Sequence, residues 1–366
     1  MTSFESSGDV PQEIQDCLLR LSADITIEER NDKGANGYVY LGTHKILQRK
    51  VALKFYAFEA DVHQEVQILA QTKHPNILPV HDAQTVGNGW AYFLTDKSAL
   101  GDLETYIAGT FRGLRLSVEI IKGILSGVGE MHSRDLVHRD IKPDNILLDS
   151  GHVPLIADFG SVKKIPQGAK WVTGSGQAAL YRPPETCRDQ IYTVASDIYQ
   201  VGLVLYQLLG GSLPYEAEAW MTPRDRGVYK AISDDFDRGK FVDTLICKRA
   251  QAGRLADIHT LYEFVPIRLQ SIVRKATASD PAKRFQNCAE FLAALHGLEP
   301  LPDWKVEAPE LLTLQRSTVT YRIIGSPDGT YTCQKQKGSG KWRRLWAVGK
   351  GDRREIVRRL VQDLKM

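Results

Sequence analysis

The chain has 366 residues and a mass of 41.0 kDa, with 43% hydrophobic and 25% charged residues, which is ordinary for a soluble globular protein of two or three domains. Its five cysteines show no C-x-x-C spacing, which argues against a zinc site or a disulfide framework and fits a reducing compartment. The N-terminus has neither a basic start nor an apolar run, and the most apolar segment, 198–209, is too short to span a membrane. We therefore expect a cytoplasmic protein that does not associate with membranes.

Charge is distributed unevenly along the chain. Residues 311–366 contain 13 Lys and Arg but 4 Asp and Glu, a net charge of +9, so the overall +3 leaves −6 on the remainder. A basic tail on an acidic body predicts that the tail has a binding partner of its own.

Hydrophobic periodicity predicts a small strand-rich half, a larger helical half and a second alternating segment at the C-terminus. The fold class is therefore α+β. Prolines mark 298–310 as a linker. The predicted elements are a helix at 11–21, strands within 25–58, a helix at 62–72, two strands between 77 and 96, and helices at 117–133, 196–210, 266–277 and 288–298.

The first half contains residues suited to holding phosphates. Lys54 lies on a predicted strand, and Glu65, eleven residues later, lies on the next helix, so the carboxylate can hold the lysine extended toward the α and β phosphates. Upstream, Gly34 and Gly37 let backbone N–H groups approach phosphates without steric hindrance. The glycines alone are equally typical of an ordinary hairpin turn.

The stretch HRDIKPDN places polar residues between two apolar flanks. Asp140 is suited to accept a hydroxyl proton, Lys142 to steady the transferring phosphate, and Asn145 to bind a metal ion. Asp158, at the end of the strand VPLIADF, is a second metal ligand. Both are hard oxygen donors, which predicts Mg²⁺, with Mn²⁺ as an alternative ion.

At this point the chain resembles the eukaryotic-like (Hanks-type) serine/threonine protein kinases. The motifs follow in the order of that family: the glycine loop, Lys54, Glu65, HPNI, HRDIKPDN, DFG, RPPE, SDIYQVG and DPAKRF. The resemblance implies a bilobal kinase fold at 24–297, with an N-lobe at about 24–96 and a C-lobe at about 97–297. A short extension (1–23) precedes it, and a small α+β module (311–366) follows the linker.

The resemblance also implies an ATP site and an acceptor class. It places the gatekeeper at Thr95, the hinge at 96–98, including Asp96 and Ser98, and the purine contacts at Val39, Ala52 and Leu147. Lys142, two residues after Asp140, is the serine/threonine arrangement, so the implied reaction transfers the γ-phosphate of ATP to Ser or Thr of a protein substrate. It further implies a buried Glu185–Arg284 ion pair and an Asp197 that caps the catalytic loop.

The sequence departs from the family pattern at three positions, one of which is Pro183 of RPPE, where Ala is usual. Asp32 replaces the first glycine of the loop, and Ala178 stands where a Thr bridging the catalytic Asp and Lys is usual, which leaves the acceptor preference open. Regulation by phosphorylation is expected at Thr173 or Ser175, because Arg139 needs a counter-charge. The alternative function is a nucleotide-sensing, pseudokinase-like scaffold whose basic tail does the work.

The tail itself is predicted to be a three-stranded sheet backed by a helix that begins after Asp352. We expect its exposed face to carry basic residues among aromatic ones, as in small β-β-β-α DNA-binding modules, which it resembles in layout. Nucleic acid, a protein partner and an inert solvated surface remain open alternatives. The residues expected on this face are Lys335, Lys337, Lys341, Arg343 or Arg344, Tyr331, Trp342 and Trp346.

Overall fold

The computed structural model describes residues 10–31, 37–58, 63–109, 113–174 and 179–365. Four residues singled out above, Asp32, Gly34, Ser175 and Ala178, lie outside these ranges. Within them the α+β prediction is confirmed, because a strand-rich N-terminal part precedes a helical part, and a second strand-rich region ends in a helix.

The N-terminal part is an antiparallel sheet of five strands in the order β1-β2-β3-β5-β4. Along β3, Val51, Leu53 and Phe55 are buried, whereas Ala52 and Lys54 between them are half-buried. Successive side chains of a strand point to opposite faces, so Ala52 and Lys54 share one face of the sheet. The strands are β1 (Ile25–Asn31), β2 (Tyr38–His44), β3 (Arg49–Ala57), β4 (Asp82–Gly87) and β5 (Trp90–Asp96).

Two helices accompany this sheet, and both match predicted helices. Helix α1 (Gln12–Leu21) packs Ile14 and Cys17 into the same core as the buried residues of β3. Helix α2 (Gln64–Gln71) contributes Val66 and Leu69 to the main core instead. The sheet is therefore covered by α1 on one face, while Tyr56 and Phe93 on its other face belong to the main core together with α2.

The helical part is organised around α6 (Val194–Leu208), which is buried from Ser196 onward. Thr193 and Ser196 form a capping box that starts this helix. Among the described residues, no helix is both long and apolar enough to cross a membrane. The other helices are α3 (Leu103–Ala108), α4 (Leu114–Ser133), α5 (Pro184–Asp189), α7 (Pro223–Ala231), α8 (Asp235–Gln251), α9 (Ile267–Ala276) and α10 (Cys288–His296).

Short two-stranded ladders hold the loops between α4 and α6. Strand β6 pairs with β9, β7 with β8, and β10 with β11, all antiparallel. These ladders position the segments that carry the predicted catalytic residues. They are β6 (Leu136–Val137), β7 (Ile146–Leu148), β8 (Pro154–Ile156), β9 (Lys163–Lys164), β10 (Val172–Thr173) and β11 (Ile191–Tyr192).

The C-terminal region contains more strands than the sequence predicted. Its sheet has the order β12-β13-β14-β15-β16, and β17 also pairs with β15. The prediction of a linker at 298–310 is wrong for Asp303–Ala308, which is a strand with Trp304 and Val306 buried. The prolines on either side of this strand obscured the alternation of buried and exposed residues along it. The elements are β12 (Asp303–Ala308), β13 (Leu311–Arg316), β14 (Val319–Gly325), β15 (Tyr331–Lys337), β16 (Arg343–Arg344), β17 (Lys350–Gly351) and α11 (Arg353–Asp363).

This C-terminal module (303–365) docks on the helical part. Trp304 is 1% exposed, and its ring stacks on Phe264 at 5.2 Å with an interplanar angle of 12°. Arg353 of α11 forms an ion pair with Glu263, and Arg115 of α4 donates to the carbonyl oxygen of Leu301 at 2.6 Å. The apolar residues of the module and of the helical part form one continuous core.

Lys335 and Lys337 are exposed, as the sequence predicted, but they do not lie on the uncovered face of the module's sheet. The side chains of Tyr331, Lys335 and Lys337 point to the same face of β15 as Cys333, which is fully buried. Helix α11 covers this side through Ile356, Val357 and Leu360. The assignment of these residues to the uncovered face failed because the alternation of side chains along β15 does not itself show which face the helix covers.

The expectation of no disulfide is also wrong. Cys187 of α5 and Cys247 of α8 form a disulfide, with their Cα atoms 5.8 Å apart. The two residues are separated by 60 positions in sequence, so only the packing of α5 against α8 brings them together. The other three cysteines, Cys17, Cys288 and Cys333, are buried and free.

Candidate active site

The first group of site residues brings strand β3, helix α2 and the DFG segment together. Lys54 Nζ lies 2.7 Å from Glu65 Oε1 and 3.4 Å from Asp158 Oδ1. The side chains of Lys54 and Glu65 are 19% and 12% exposed, so this ion pair is largely shielded from water. The lysine predicted from its strand and the glutamate predicted from its helix therefore meet.

Neighbouring charges keep both Lys54 and Asp158 ionised. Burial alone would lower the pKa of Lys54, but the charges of Glu65 and Asp158 outweigh it and raise that pKa. Burial alone would raise the pKa of Asp158, but the charge of Lys54 outweighs it and lowers that pKa. At neutral pH the site therefore presents an ammonium beside an ionised carboxylate, which is a hard ligand for a divalent cation.

Asp158 is held in an unusual backbone conformation by its neighbours. Its φ of 56° lies in the left-handed region, which Asp adopts more readily than most residues. The next residue, Phe159, is 1% exposed, packs edge-on against the His138 ring at 5.4 Å, and donates its backbone N–H to Glu65 Oε1 at 3.3 Å. The burial of Phe159 thus positions the carboxylate of Asp158 beside Lys54.

The catalytic-loop residues form a second hydrogen-bonded group. Lys142 Nζ lies 2.8 Å from Asp140 Oδ2, and the Asn145 side-chain amide donates to the same oxygen at 2.9 Å and to the Asp140 carbonyl at 2.8 Å. The other oxygen, Asp140 Oδ1, is buried and has no hydrogen-bond partner among the described residues. A buried, unpartnered acceptor is costly, which indicates that this oxygen is kept for a proton donor.

Asn145 connects this loop to Asp158. Its backbone carbonyl accepts the N–H of Ala157 at 2.9 Å, so it lies next to the strand end that carries Asp158. Because its side-chain NH₂ is directed to Asp140, its side-chain oxygen is the group left to bind a metal ion. The backbone contact with Ala157 therefore brings the two predicted metal-binding residues, Asn145 and Asp158, onto neighbouring segments.

A buried polar network below the catalytic loop fixes its backbone. Asp197, which is 0% exposed, accepts the backbone N–H groups of His138 at 2.9 Å and Arg139 at 3.0 Å, as predicted from the resemblance. His132 Nε2 lies 2.8 Å from the same carboxylate, and this hydrogen bond helps to keep the pKa of Asp197 low although burial opposes it. Tyr192 donates to Asp197 Oδ1 at 2.7 Å.

Gln200 belongs to this network, and sequence reasoning did not assign it a role. It is fully buried, accepts the backbone N–H of Ile141 at 2.8 Å and donates to the carbonyl of Tyr181 at 3.1 Å. Gln200 thereby ties the catalytic loop to the segment before RPPE. The signal available in the sequence was a glutamine between apolar residues of α6, since a buried amide needs several partners.

The predicted ion pair between Glu185 and Arg284 is present. Two parallel hydrogen bonds, of 2.8 and 2.7 Å, join the guanidinium to the carboxylate, and the side chains are 0% and 5% exposed. Ser196 donates to Glu185 at 2.6 Å from the first turn of α6. The pair anchors Glu185, the last residue of the segment from DFG to RPPE (158–185, which we call the activation segment), to the helical part.

The residues predicted to contact the purine share one face of the N-terminal sheet. Val39 is paired with Lys54, and Ala52 is paired with Thr95, so all four point to the same side. Thr95 is buried and donates to the carbonyl of Pro79 at 2.6 Å, whereas Val39 and Ala52 are half-buried. Leu147 of β7 is also half-buried, between two buried neighbours.

The predicted hinge residues, Asp96 and Ser98, and the predicted glycine, Gly37, lie outside the group of side chains on this face. Asp96 is engaged by Arg49 and, at 3.1 Å, by His81, so a contact with a purine would come from its backbone. Ser98 donates to the carbonyl of Gly101 at 3.1 Å. Gly37 has a φ of 147°, and a Cβ there would lie 2.1 Å from the carbonyl oxygen of Phe55, so this position requires glycine.

Comparison with known proteins agrees with this geometry. The protein kinase domain matches residues 28–293. The serine/threonine-protein kinase PknL of Mycobacterium tuberculosis is 29% identical over 326 residues, covering 82% of this chain and 73% of PknL. PrkC of Bacillus subtilis, a serine/threonine-protein kinase, is 29% identical over 273 residues, covering 71% of this chain and 38% of PrkC. The chain therefore belongs to the protein kinase family, and within it to the Hanks-type serine/threonine kinases.

Proposed function

We propose that this kinase transfers the γ-phosphate of ATP to Ser or Thr hydroxyls of protein substrates with Mg²⁺ as its metal ion. The observation that carries the proposal is that two groups are formed at the same time: the Lys54–Glu65 ion pair and the hydrogen bonds that join Asp140 to Lys142 and Asn145. Both groups must be in place for phosphoryl transfer, because catalysis of this reaction consists of positioning and electrostatic stabilisation.

The residues present fit a magnesium–nucleotide complex. Asp158 and Asn145 offer two oxygen donors at the cleft, and carboxylate and amide oxygens are the ligands that Mg²⁺ prefers. Bound there, the ion would neutralise charge on the phosphates. On the sheet side, the backbone at Gly37 leaves no room for a side chain, and Val39, Ala52 and Leu147 supply an apolar surface for a purine.

The roles of the chain's own groups follow from their contacts. Lys54, held by Glu65, orients two phosphates through its three N–H donors. Asp140 uses its free Oδ1 to accept the proton of the attacking hydroxyl, while its Oδ2 stays fixed by Lys142 and Asn145. Lys142 is then positioned to counter the charge that develops on the transferring group.

A labelled-ATP assay with a generic protein acceptor tests this proposal. We expect Asp158→Ala and Lys54→Ala each to lower transfer by about 10²-fold or more while the protein stays folded, because both residues act on charge and positioning. Acid hydrolysis of the labelled product separates phosphoserine and phosphothreonine from phosphotyrosine. Near-wild-type transfer by Asp158→Ala would contradict the proposal and favour the nucleotide-sensing scaffold.

We further propose that the activation segment regulates activity through phosphorylation of Thr173. Thr173 is exposed, and Lys163 Nζ lies 3.4 Å from its hydroxyl. Lys163 of β9 lies opposite Val137 of β6 in the strand register. Arg139 follows two residues after Val137, and its buried Nε has no hydrogen-bond partner among the described residues. A phosphate on Thr173 would give these cations a counter-charge of about −1.5 to −2.

Mass spectrometry of protein expressed alone, compared with Asp140→Ala, tests this regulation. We expect a phosphate on Thr173 in the wild type and none in the variant. A fully active kinase with an unmodified activation segment would contradict it. The equivalent expectation for Ser175 lies outside the described residues.

A second function is proposed for the basic C-terminal module, namely the binding of a nucleic acid or a protein partner. The supporting observation is its net charge of +9 between residues 311 and 366. Cytoplasmic localisation and the absence of membrane association stay predictions.

A further inference from the structure

The sheet of the C-terminal module has one face covered by α11 and one face that we call the open face. Strand register places Thr313, Arg322, Gln334 and Arg344 opposite one another in a single row across β13, β14, β15 and β16. A second row is formed by Gln315, Thr320 and Gln336. A third row on the same face contains Leu311, Ile324 and Thr332. The open face therefore has two rows of side chains that donate and accept hydrogen bonds beside a partly apolar row.

Two arginine–tryptophan pairs stand on and beside this face. The guanidinium carbon of Arg322 lies 4.0 Å from the centre of the Trp342 ring, and that of Arg344 lies 4.1 Å from the Trp346 ring. Arg322 is also held by Gln334 Oε1 through two hydrogen bonds, of 3.0 and 2.7 Å. Stacking on an indole removes much of a guanidinium's conformational freedom without using its N–H donors. In Arg322 the Nε and Nη2 donors are engaged by Gln334, which leaves Nη1 for a further acceptor.

No carboxylate neutralises these two arginines among the residues that the structure describes. The module's ion pairs involve other cations: Lys350 with Asp328, Arg353 with Glu263, and Arg359 with Glu355. The nearby Lys341 and Arg343 are exposed and form no ion pair within the described ranges. Positive charge is therefore concentrated beside the open face rather than cancelled.

Among the described residues, the contacts that dock the module on the helical part do not involve Arg322, Arg344 or Trp346. They involve Trp304, Arg353 and Arg354, together with the chain just before β12. Trp346 is 73% exposed, so most of its ring is available for stacking. A partner can reach the two arginine–tryptophan pairs without displacing the module.

We propose that the open face binds nucleic acid, with Arg322 and Arg344 contacting phosphates and Trp346 stacking on a base or sugar. Charge complementarity supports a polyanion, since arginine N–H edges match phosphate oxygens. The flat polar rows and the exposed indole favour nucleic acid over an acidic protein or an anionic membrane, because bases offer both stacking faces and hydrogen-bonding edges. This inference rests on the second proposed function, the binding role of the C-terminal module, and is independent of the proposed phosphoryl transfer.

Fluorescence anisotropy with the full chain tests the proposal. The probes are labelled oligonucleotides of about 20 nucleotides as duplex DNA, single-stranded DNA and single-stranded RNA, titrated over a range of salt concentrations. We expect binding to at least one probe, with an affinity that falls steeply as salt rises because phosphate contacts release counterions. The double variant Arg322→Gln/Arg344→Gln should weaken binding by about tenfold or more and reduce the salt slope by about two.

The matched control is Arg268→Gln/Arg274→Gln, which removes the same charge from exposed positions on α9. It should bind like the wild type. Trp346→Ala should weaken single-stranded probes by about tenfold and duplex probes less, because stacking needs an unpaired base. Circular dichroism and the kinase assay verify that every variant is folded.

Three results would overturn the proposal. The first is no binding to any probe at low salt, and the second is an equal loss in both double variants, which would indicate bulk charge alone. The third is binding of an acidic peptide or of phosphatidylserine vesicles through the same two arginines without binding of nucleic acid. Kinase activity is scored separately, so failure of either function leaves the other interpretable.

Discussion

Replacing Glu65 with Gln isolates the charge of the ion pair that positions Lys54. The variant keeps the shape of the side chain and an acceptor oxygen, but it removes the negative charge 2.7 Å from Lys54 Nζ. Lys54 then has one remaining carboxylate partner, Asp158, at 3.4 Å. We expect the lysine to turn toward Asp158 and to compete with the metal ion for it.

The size of the effect follows from the separation and the burial of the pair. At 2.7 Å a unit charge pair gains at most about 6 kcal/mol with an effective dielectric constant of about 20. The retained hydrogen bond and the second carboxylate offset part of this loss, leaving about 3 kcal/mol, close to the lower end of what breaking a buried pair costs. In the transition state this corresponds to a fall of about 10²-fold in kcat/KM.

The assay is steady-state phosphoryl transfer with varied ATP, and the matched control is Glu119→Gln. Glu119 also lies 2.8 Å from a lysine, Lys122, but it is 63% exposed, and exposed pairs contribute about 0–1 kcal/mol. The control should retain wild-type kinetics. Turnover by Glu65→Gln within about threefold of the wild type would refute the reasoning.

Three further predictions concern stability. Reductant should lower the melting temperature of the wild type but not of Cys187→Ser, because the Cys187–Cys247 disulfide closes a loop of 60 residues and raises the free energy of unfolding by up to about 4 kcal/mol. An equal response in both proteins would contradict this. Trp304→Ala should cost about 3–5 kcal/mol in chemical denaturation, and Trp304→Phe much less, since the indole N–H has no partner among the described residues; a mild effect of the alanine would show that the module docks without it. The pKa of Asp197 is lower in the folded than in the unfolded state, so its contribution to stability is complete above a pH of about 4 and is lost as the pH falls further; Asp197→Asn should flatten this acid limb of the stability–pH profile, and an unchanged limb would exclude Asp197 as its source.

Residues whose chemistry is local could be found from the sequence. Asp140, Lys142 and Asn145 lie within six positions, and the spacing of Lys54 to Glu65 spans one strand and the next helix. In each case a short segment carries both the residue types and the spacing that the reaction needs. The structure brings Lys54, Glu65 and Asp158 together because α2 packs against the segment Phe159–Ser161.

Features set by long-range packing could not be found in this way. The disulfide depends on the contact between α5 and α8, and α8 itself buries few residues, so its periodicity is weak. Gln200 acquires its role from partners that lie 19 and 59 positions away. The face of β15 covered by α11 is decided by which residues the helix meets, and alternation alone is symmetric between the two faces.

The most direct test of the central claim is single-turnover transfer of the γ-phosphate by Asp140→Asn compared with Asp144→Asn. Both variants remove one carboxylate charge from the same loop, but Asp144 is exposed, and its carboxylate accepts a hydrogen bond from Tyr215 at 3.4 Å. The proposed mechanism predicts that Asp140→Asn binds ATP normally and loses at least about 10²-fold in the rate of transfer, because the proton acceptor is gone, while Asp144→Asn transfers at the wild-type rate. Equal rates in the two variants would contradict the assignment of Asp140 and with it the proposed mechanism.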